Sequence, residues 1–167
     1  MLDMLPQWSD RSEIVANLLN PAFCGWVIHS FIDGFNSESK GTMPFSLTFF
    51  VLPFVLVKRF RDLIPKQARK TLHAWFDEHP SLKIGIQDRI VGYKEFCRES
   101  IIFLTACGAI TIQEDGTIAC NKINFKMETN EDASEVNECI KRANTLGKIF
   151  AKSGADYTIF SIIGVKP

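Results

Sequence analysis

A cysteine with a histidine nearby can supply a thiol nucleophile and its base, and Cys24 and His29 are the closest such pair in this chain. Five helical residues separate their directions by about 140°, so they read as a core thiol and a capped or surface imidazole. His73 and His79 stand six apart with no third ligand at metal spacing. Glycines occur singly and never in a phosphate-cradling cluster, which excludes a P-loop or Rossmann nucleotide site. The chain would need a partner to use ATP. Glu114 and Asp115 fall where a turn is expected, in water, and no acid/base task is assigned to them. No catalytic constellation emerges, and no metal or cofactor site of the chain's own.

The polar group with most content is basic: Lys58, Arg59, Arg61, Lys66, Arg69 and Lys70, opposed within that stretch only by Asp62. Two readings stay open. The cluster is a solvated face that keeps an apolar region soluble, or it docks on phosphates or on an acidic partner surface. Just before it runs Gly41 to Val57, without a charge but with Thr42, Ser46, Thr48, Pro44 and Pro53. A spanning helix needs about 20 apolar residues, so this run is expected inside a protein core or under a partner, and not in a membrane. Phe49, Phe50 and Phe54 are its core or interface candidates.

Nineteen basic and 19 acidic residues cancel, so no long-range attraction to DNA or an anionic membrane belongs to the whole molecule. The 46% hydrophobic and 23% charged composition is that of a soluble globular protein, and 167 residues suffice for one well-buried domain, expected to span 1–167. Fourteen Phe imply a thick core or a permanent interface. Five cysteines without CxxC spacing read as free thiols in a reducing compartment. The N-terminus lacks the pattern of a secretory signal. The cytoplasm is the expected location.

The elements that would position these residues are mostly helices. Asp10 and Glu13 have capping-box spacing before Ile14, Val15, Leu18 and Leu19. Asn20-Pro21 ends or kinks that helix, and Pro21 can open a second through Phe23, Val27, Phe31 and Phe35, followed by a polar turn over 36–41. Periodicity allows either helix or core strand for 44–57; a helix broken near Pro53 is favoured. Pro65 is expected to open a helix with a basic polar face, through Ala68, Leu72, Trp75 and Phe76 to His79-Pro80.

A long amphipathic helix is predicted from Leu82 to about Cys107, stopped by Gly108. Two β-branched runs then flank Asp115-Gly116, a strong hairpin signal. Helix, helix, hairpin is the order of a winged helix. Residues 124–131 read as loop, and Asp132 with Glu135 as the cap of a helix through Val136, Ile140, Ala143, Leu146 and Phe150. The apolar stretch Tyr157 to Val165 has to be docked, since exposed it would be β-prone and aggregation-prone. The fold class expected is α+β, mainly α: a winged-helix-like domain with a β-hairpin wing and flanking helices.

Three segments carry a family resemblance: Asn17-Leu18-Leu19-Asn20-Pro21-Ala22-Phe23; Phe49 to Pro53 with Arg61 to Pro65 behind it; and Ile159-Phe160 leading to Gly164-Val165-Lys166-Pro167. In that order and spacing they resemble the middle component of bacterial three-component ABC ATPase (ABC-3C) systems, the group that includes Lamassu-type antiphage defence. The resemblance implies a noncatalytic adaptor between an SMC-like or Rad50-like ABC ATPase and an effector, often a nuclease, within a hetero-oligomer. ATP and Mg would sit on a partner subunit only, and DNA would be met through the complex. The alternative is a free-standing winged-helix DNA-binding regulator, although a wing tip of Gln113-Glu114-Asp115 would be repelled by phosphates. A thiol-dependent or membrane-associated enzyme is the third class.

Overall fold

The computed structural model describes residues 5–123 and 133–166. After a 3₁₀ turn at Trp8–Asp10 come α1 (Glu13–Leu18) and α2 (Pro21–Ser39). The cap of α1 is Ser12, whose hydroxyl accepts from the Val15 amide, and not Asp10. Asn20 caps α2 by accepting from the Phe23 amide at 2.7 Å, with Pro21 in the first helical position where its missing N–H costs nothing. α2 continues three residues past Asn36 before Lys40, at φ 55°, ends it. The helix expected to finish at Phe35 is therefore a turn longer.

The uncharged run is neither one helix nor one strand. It divides into β1 (Met43–Pro44), a 3₁₀ segment (Phe45–Phe50) and α3 (Val51–Val55). Pro53 falls in the first turn of α3 and does not break it, because first-turn N–H groups have no intrahelical partner to lose. α4 (Lys58–Arg61) follows, then an irregular stretch to Thr71, which caps α5 (Leu72–Glu78) through the Ala74 amide. Pro65 thus opens no helix. Lys66, Arg69 and Lys70 lie on the irregular stretch and not on a helical face. The long α6 (Ile86–Ala106) begins at Gly85 (φ 66°), after a 3₁₀ turn that takes in Leu82, and stops before Gly108 (φ 68°).

β2 (Ile110–Ile112) and β3 (Thr117–Cys120) form the hairpin, with Gly116 at φ 78° in the turn. β1 adds antiparallel to β3, Met43 opposite Ile118, giving the order β1-β3-β2. Two residues carry no periodicity, so β1 has no sequence signal of its own. α7 (Ala133–Ala151) and α8 (Asp156–Ile163) close the chain. The expected loop at 124–131 and cap at Asp132 lie outside the described residues. The apolar C-terminal stretch is helical, with Ile159 and Ile163 buried.

The result is an α+β structure, mainly α, with a small three-stranded sheet. Among the described residues, the buried apolar ones form a single cluster around α2, which lies against α7 and α6. Its phenylalanines meet edge to face: Phe31 and Phe150 with centroids 5.2 Å apart, Phe50 and Phe160 at 5.1 Å, Phe54 and Trp75 at 5.6 Å. Trp75 donates Nε1–H to the Leu63 carbonyl at 2.8 Å. Much of the aromatic load is therefore core. The helical stretch 13–39 is long and apolar enough to cross a membrane by length and composition. It is nevertheless broken at Asn20, and Val27, Ile28, Phe31 and Ile32 along its second part are fully buried in the protein's own core.

Candidate functional site

The residues singled out as chemical do not assemble. Cys24 lies at 0% exposure in the core, where burial pushes its thiol up to about 12; burial does the same to Cys120, and raises Cys97 and Cys139. A thiol so shifted stays protonated near neutrality and is a poor nucleophile. His29 bonds through Nε2 to the Asn121 carbonyl at 3.1 Å. His73 meets Asp77 one helical turn on, at 2.8 Å. Among the described residues no cluster has the ligands to hold a metal ion.

The basic cluster is dispersed. Arg61 is buried: its guanidinium donates to the Val55 carbonyl at 2.9 Å and to Glu135 on α7. Lys58 pairs with Asp62 at 2.8 Å, and Lys70 pairs with Glu78. Lys66 lines a small recess of about 280 Å³ with Glu138, Lys141 and Arg142. Arg69 is exposed and has no ion pair among the described residues. Arg59 is exposed and lies over the Phe60 ring, 4.5 Å from its centroid. The spacing of these residues indicated a shared face, but only the fold could show that Arg61 turns inward to an acid 74 residues away. Phe50 and Phe54 are core, at 1% and 0% exposure, and Phe49 is half-buried against the Phe45 ring at 5.8 Å.

The large concave feature is one that no sequence motif announced. A groove of about 1040 Å³ runs between α1, the start of α2, α6 and the start of α7. Ile14, Val15, Leu18 and Leu19 line it from α1 and its C-terminal end, Phe23 and Trp26 from α2, Tyr93 and Phe103 from α6, and Val136 and Cys139 from α7. Polar groups are few: Asn17 and Asn20, and the paired Arg61 and Glu135. Ile14 and Leu18 are 71% and 64% exposed. That is unusual for branched aliphatics lining a concave wall, and such apolar concavities with sparse polar groups are where ligands and partner segments bind.

An ion pair ties the segment before α1 to α6. Arg11, just before α1, donates from Nη1 and Nη2 to the two carboxylate oxygens of Glu99 on α6 at 2.8 and 2.7 Å. Its side chain is 5% exposed and lies over the Trp8 ring. The Glu99 hydrogen bond holds the guanidinium above its ordinary pKa. A two-pronged pair fixes orientation as well as distance, and this one anchors the residue just before α1 to α6.

Residues 8–167 match the family described as ABC-three component (ABC-3C) system Middle Component 3. No curated protein and no solved structure matches the chain at a significant level. The match covers nearly the entire chain, and the chain belongs to the Middle Component 3 family of ABC-three component systems.

Proposed function

We propose that this protein is a noncatalytic adaptor, a single domain that grips another component of its ABC-three component system through the groove between α1 and α6. The observation that carries the reading is the apolar wall of α1. Ile14 and Leu18 remain open to water, whereas Phe31, Phe50, Phe54, Phe76 and Phe150 are spent on the core. Apolar surface of this kind is stabilised when a partner covers it. The partners envisaged are an SMC-like or Rad50-like ATPase, which would hold the ATP and Mg, and an effector such as a nuclease. The setting is a cytoplasmic antiphage complex of the Lamassu type.

A winged-helix kinship belongs to the same proposal. In its favour are the order α2, β1, α3, α6, hairpin and the pairing of β1 with the second hairpin strand. The face of α6 that such a fold would offer to DNA bears exposed Val91 and Ile102 on either side of a Glu95–Arg98 ion pair. A face this neutral and apolar, beside a wing tip of Glu114 and Asp115, suits a protein surface better than phosphates. A free-standing DNA regulator is accordingly the weaker reading.

The test is co-expression with the other components of the system. The wild-type chain should co-purify as a stable complex, and Leu18→Asp should release it while the isolated variant melts within a few degrees of wild type. Leu18→Asp chains that assemble normally would refute the groove as the grip.

A further inference from the structure

Two arginines lie over one ring, that of Phe60. Arg59, on α4, lies 4.5 Å from the Phe60 centroid, and Arg89, on α6, lies 3.8 Å from the same centroid. Among the described residues neither forms an ion pair with a carboxylate, although Lys58 next to Arg59 does. Arg89 donates from Nη2 to the Leu82 carbonyl at 2.7 Å, which fixes its position, and its Nε is buried without a hydrogen-bond partner. Burial and then the like charge of Arg59 hold the Arg89 guanidinium below its ordinary pKa. Two cations that share one ring and feel each other's charge, with no carboxylate paired to either among the described residues, are suited to receive an anion.

What the anion belongs to follows from the neighbourhood. Tyr93, which lines the groove, is close enough to Arg89 for its pKa to be affected by that charge. Ile84, in the turn before α6, is 74% exposed. Tyr93 therefore connects the Arg89 charge to the groove lining. The chain has no net charge to gather nucleic acid. We infer that Arg59 and Arg89 receive a carboxylate of the partner protein, on the same segment whose apolar side chains fill the groove between α1 and α6. This rests on the adaptor reading and adds to it the chemistry of the partner: an apolar segment, at one end of which stands an Asp or Glu.

The experiment measures the affinity of the full chain for the component with which it co-purifies, over a range of salt. Wild type, Arg59→Gln, Arg59→Lys and Leu18→Asp are compared, with a labelled DNA duplex as a second probe. Arg59 is exposed, so Arg59→Gln should melt as wild type does. At low salt Arg59→Gln is expected to bind about ten-fold more weakly, the order of effect that losing one interfacial charge pair has. The difference should shrink as salt rises, and Arg59→Lys should recover part of it. If Arg59→Gln binds like wild type while Leu18→Asp does not, the carboxylate site is overturned and the adaptor reading stands. If both bind like wild type, the groove is not the grip and both fall. If Arg59→Gln weakens only the duplex, the anion is a phosphate and the inference is overturned.

Discussion

Gly34 on α2 and Gly147 on α7 lock the two helices together reciprocally. A Cβ on Gly34 would stand 2.1 Å from the Asn144 carbonyl oxygen, and a Cβ on Gly147 would stand 2.1 Å from the Phe31 carbonyl oxygen. Backbone thus meets backbone at the crossing. Side chains then bond across it: Ser30 Oγ donates to the Ile140 carbonyl at 2.9 Å, and Asn144 Nδ2 donates to the Ser30 carbonyl at 3.2 Å.

Either Gly34→Ala or Gly147→Ala should force the helices apart. Alanine favours a helix by about 1 kcal/mol over glycine, but overpacking against backbone costs about 3 kcal/mol. The expected outcome is a net loss of stability in urea unfolding, of similar size for each. An alanine that left the midpoint unchanged would show that the crossing is looser than described.

Arg61 should behave unlike its basic neighbours. Arg61→Ala leaves the Val55 carbonyl without its partner inside the protein, and an unsatisfied buried acceptor costs about 2 kcal/mol. Lys58→Ala and Lys70→Ala remove exposed pairs and should change stability by less than about 1 kcal/mol. Thermal melts of the three variants separate the structural cation from the solvated ones.

The Arg11–Glu99 pair should govern the groove wall and not the core. Glu99→Gln is expected to raise hydrogen exchange in α1 at least several-fold, while α2 and α7 amides keep their protection. Uniformly faster exchange would mean that the pair supports the global fold instead.

Glu138 gives a pH dependence. Its hydrogen bond to Arg142 Nε, at 2.6 Å, holds the carboxyl below its ordinary pKa. A depressed folded-state pKa contributes stability above the unfolded value, and that contribution is lost as pH falls through the folded value. Wild type should therefore lose stability on acidification below about pH 4.5 more steeply than Glu138→Gln does. Urea midpoints from neutral pH down to pH 3 are the check.

Thiol labelling should be selective. Cys107, just past α6, is exposed, whereas Cys24, Cys97 and Cys139 are buried. A neutral alkylating reagent should modify Cys107 first in the native protein and all five thiols only after unfolding. Fast labelling of Cys24 would contradict its burial.

The sequence alone determined what local spacing can determine. Four-residue apolar steps marked α2, α6 and α7, Asp115-Gly116 marked the hairpin, Asn20-Pro21 marked the junction of α1 and α2, and the order of apolar motifs marked the family. Each of these is written in neighbouring residues, because helical period, capping and turn chemistry act over a few positions. Tertiary structure decided which apolar residues were core, sending Phe50 and Phe54 inward and leaving Ile14 and Leu18 outside. It also paired the two-residue β1 with β3, buried Arg61 against α7, and brought Arg59 and Arg89 to one ring. Those outcomes depend on which faces meet, and a periodic pattern specifies that a face exists without specifying what covers it.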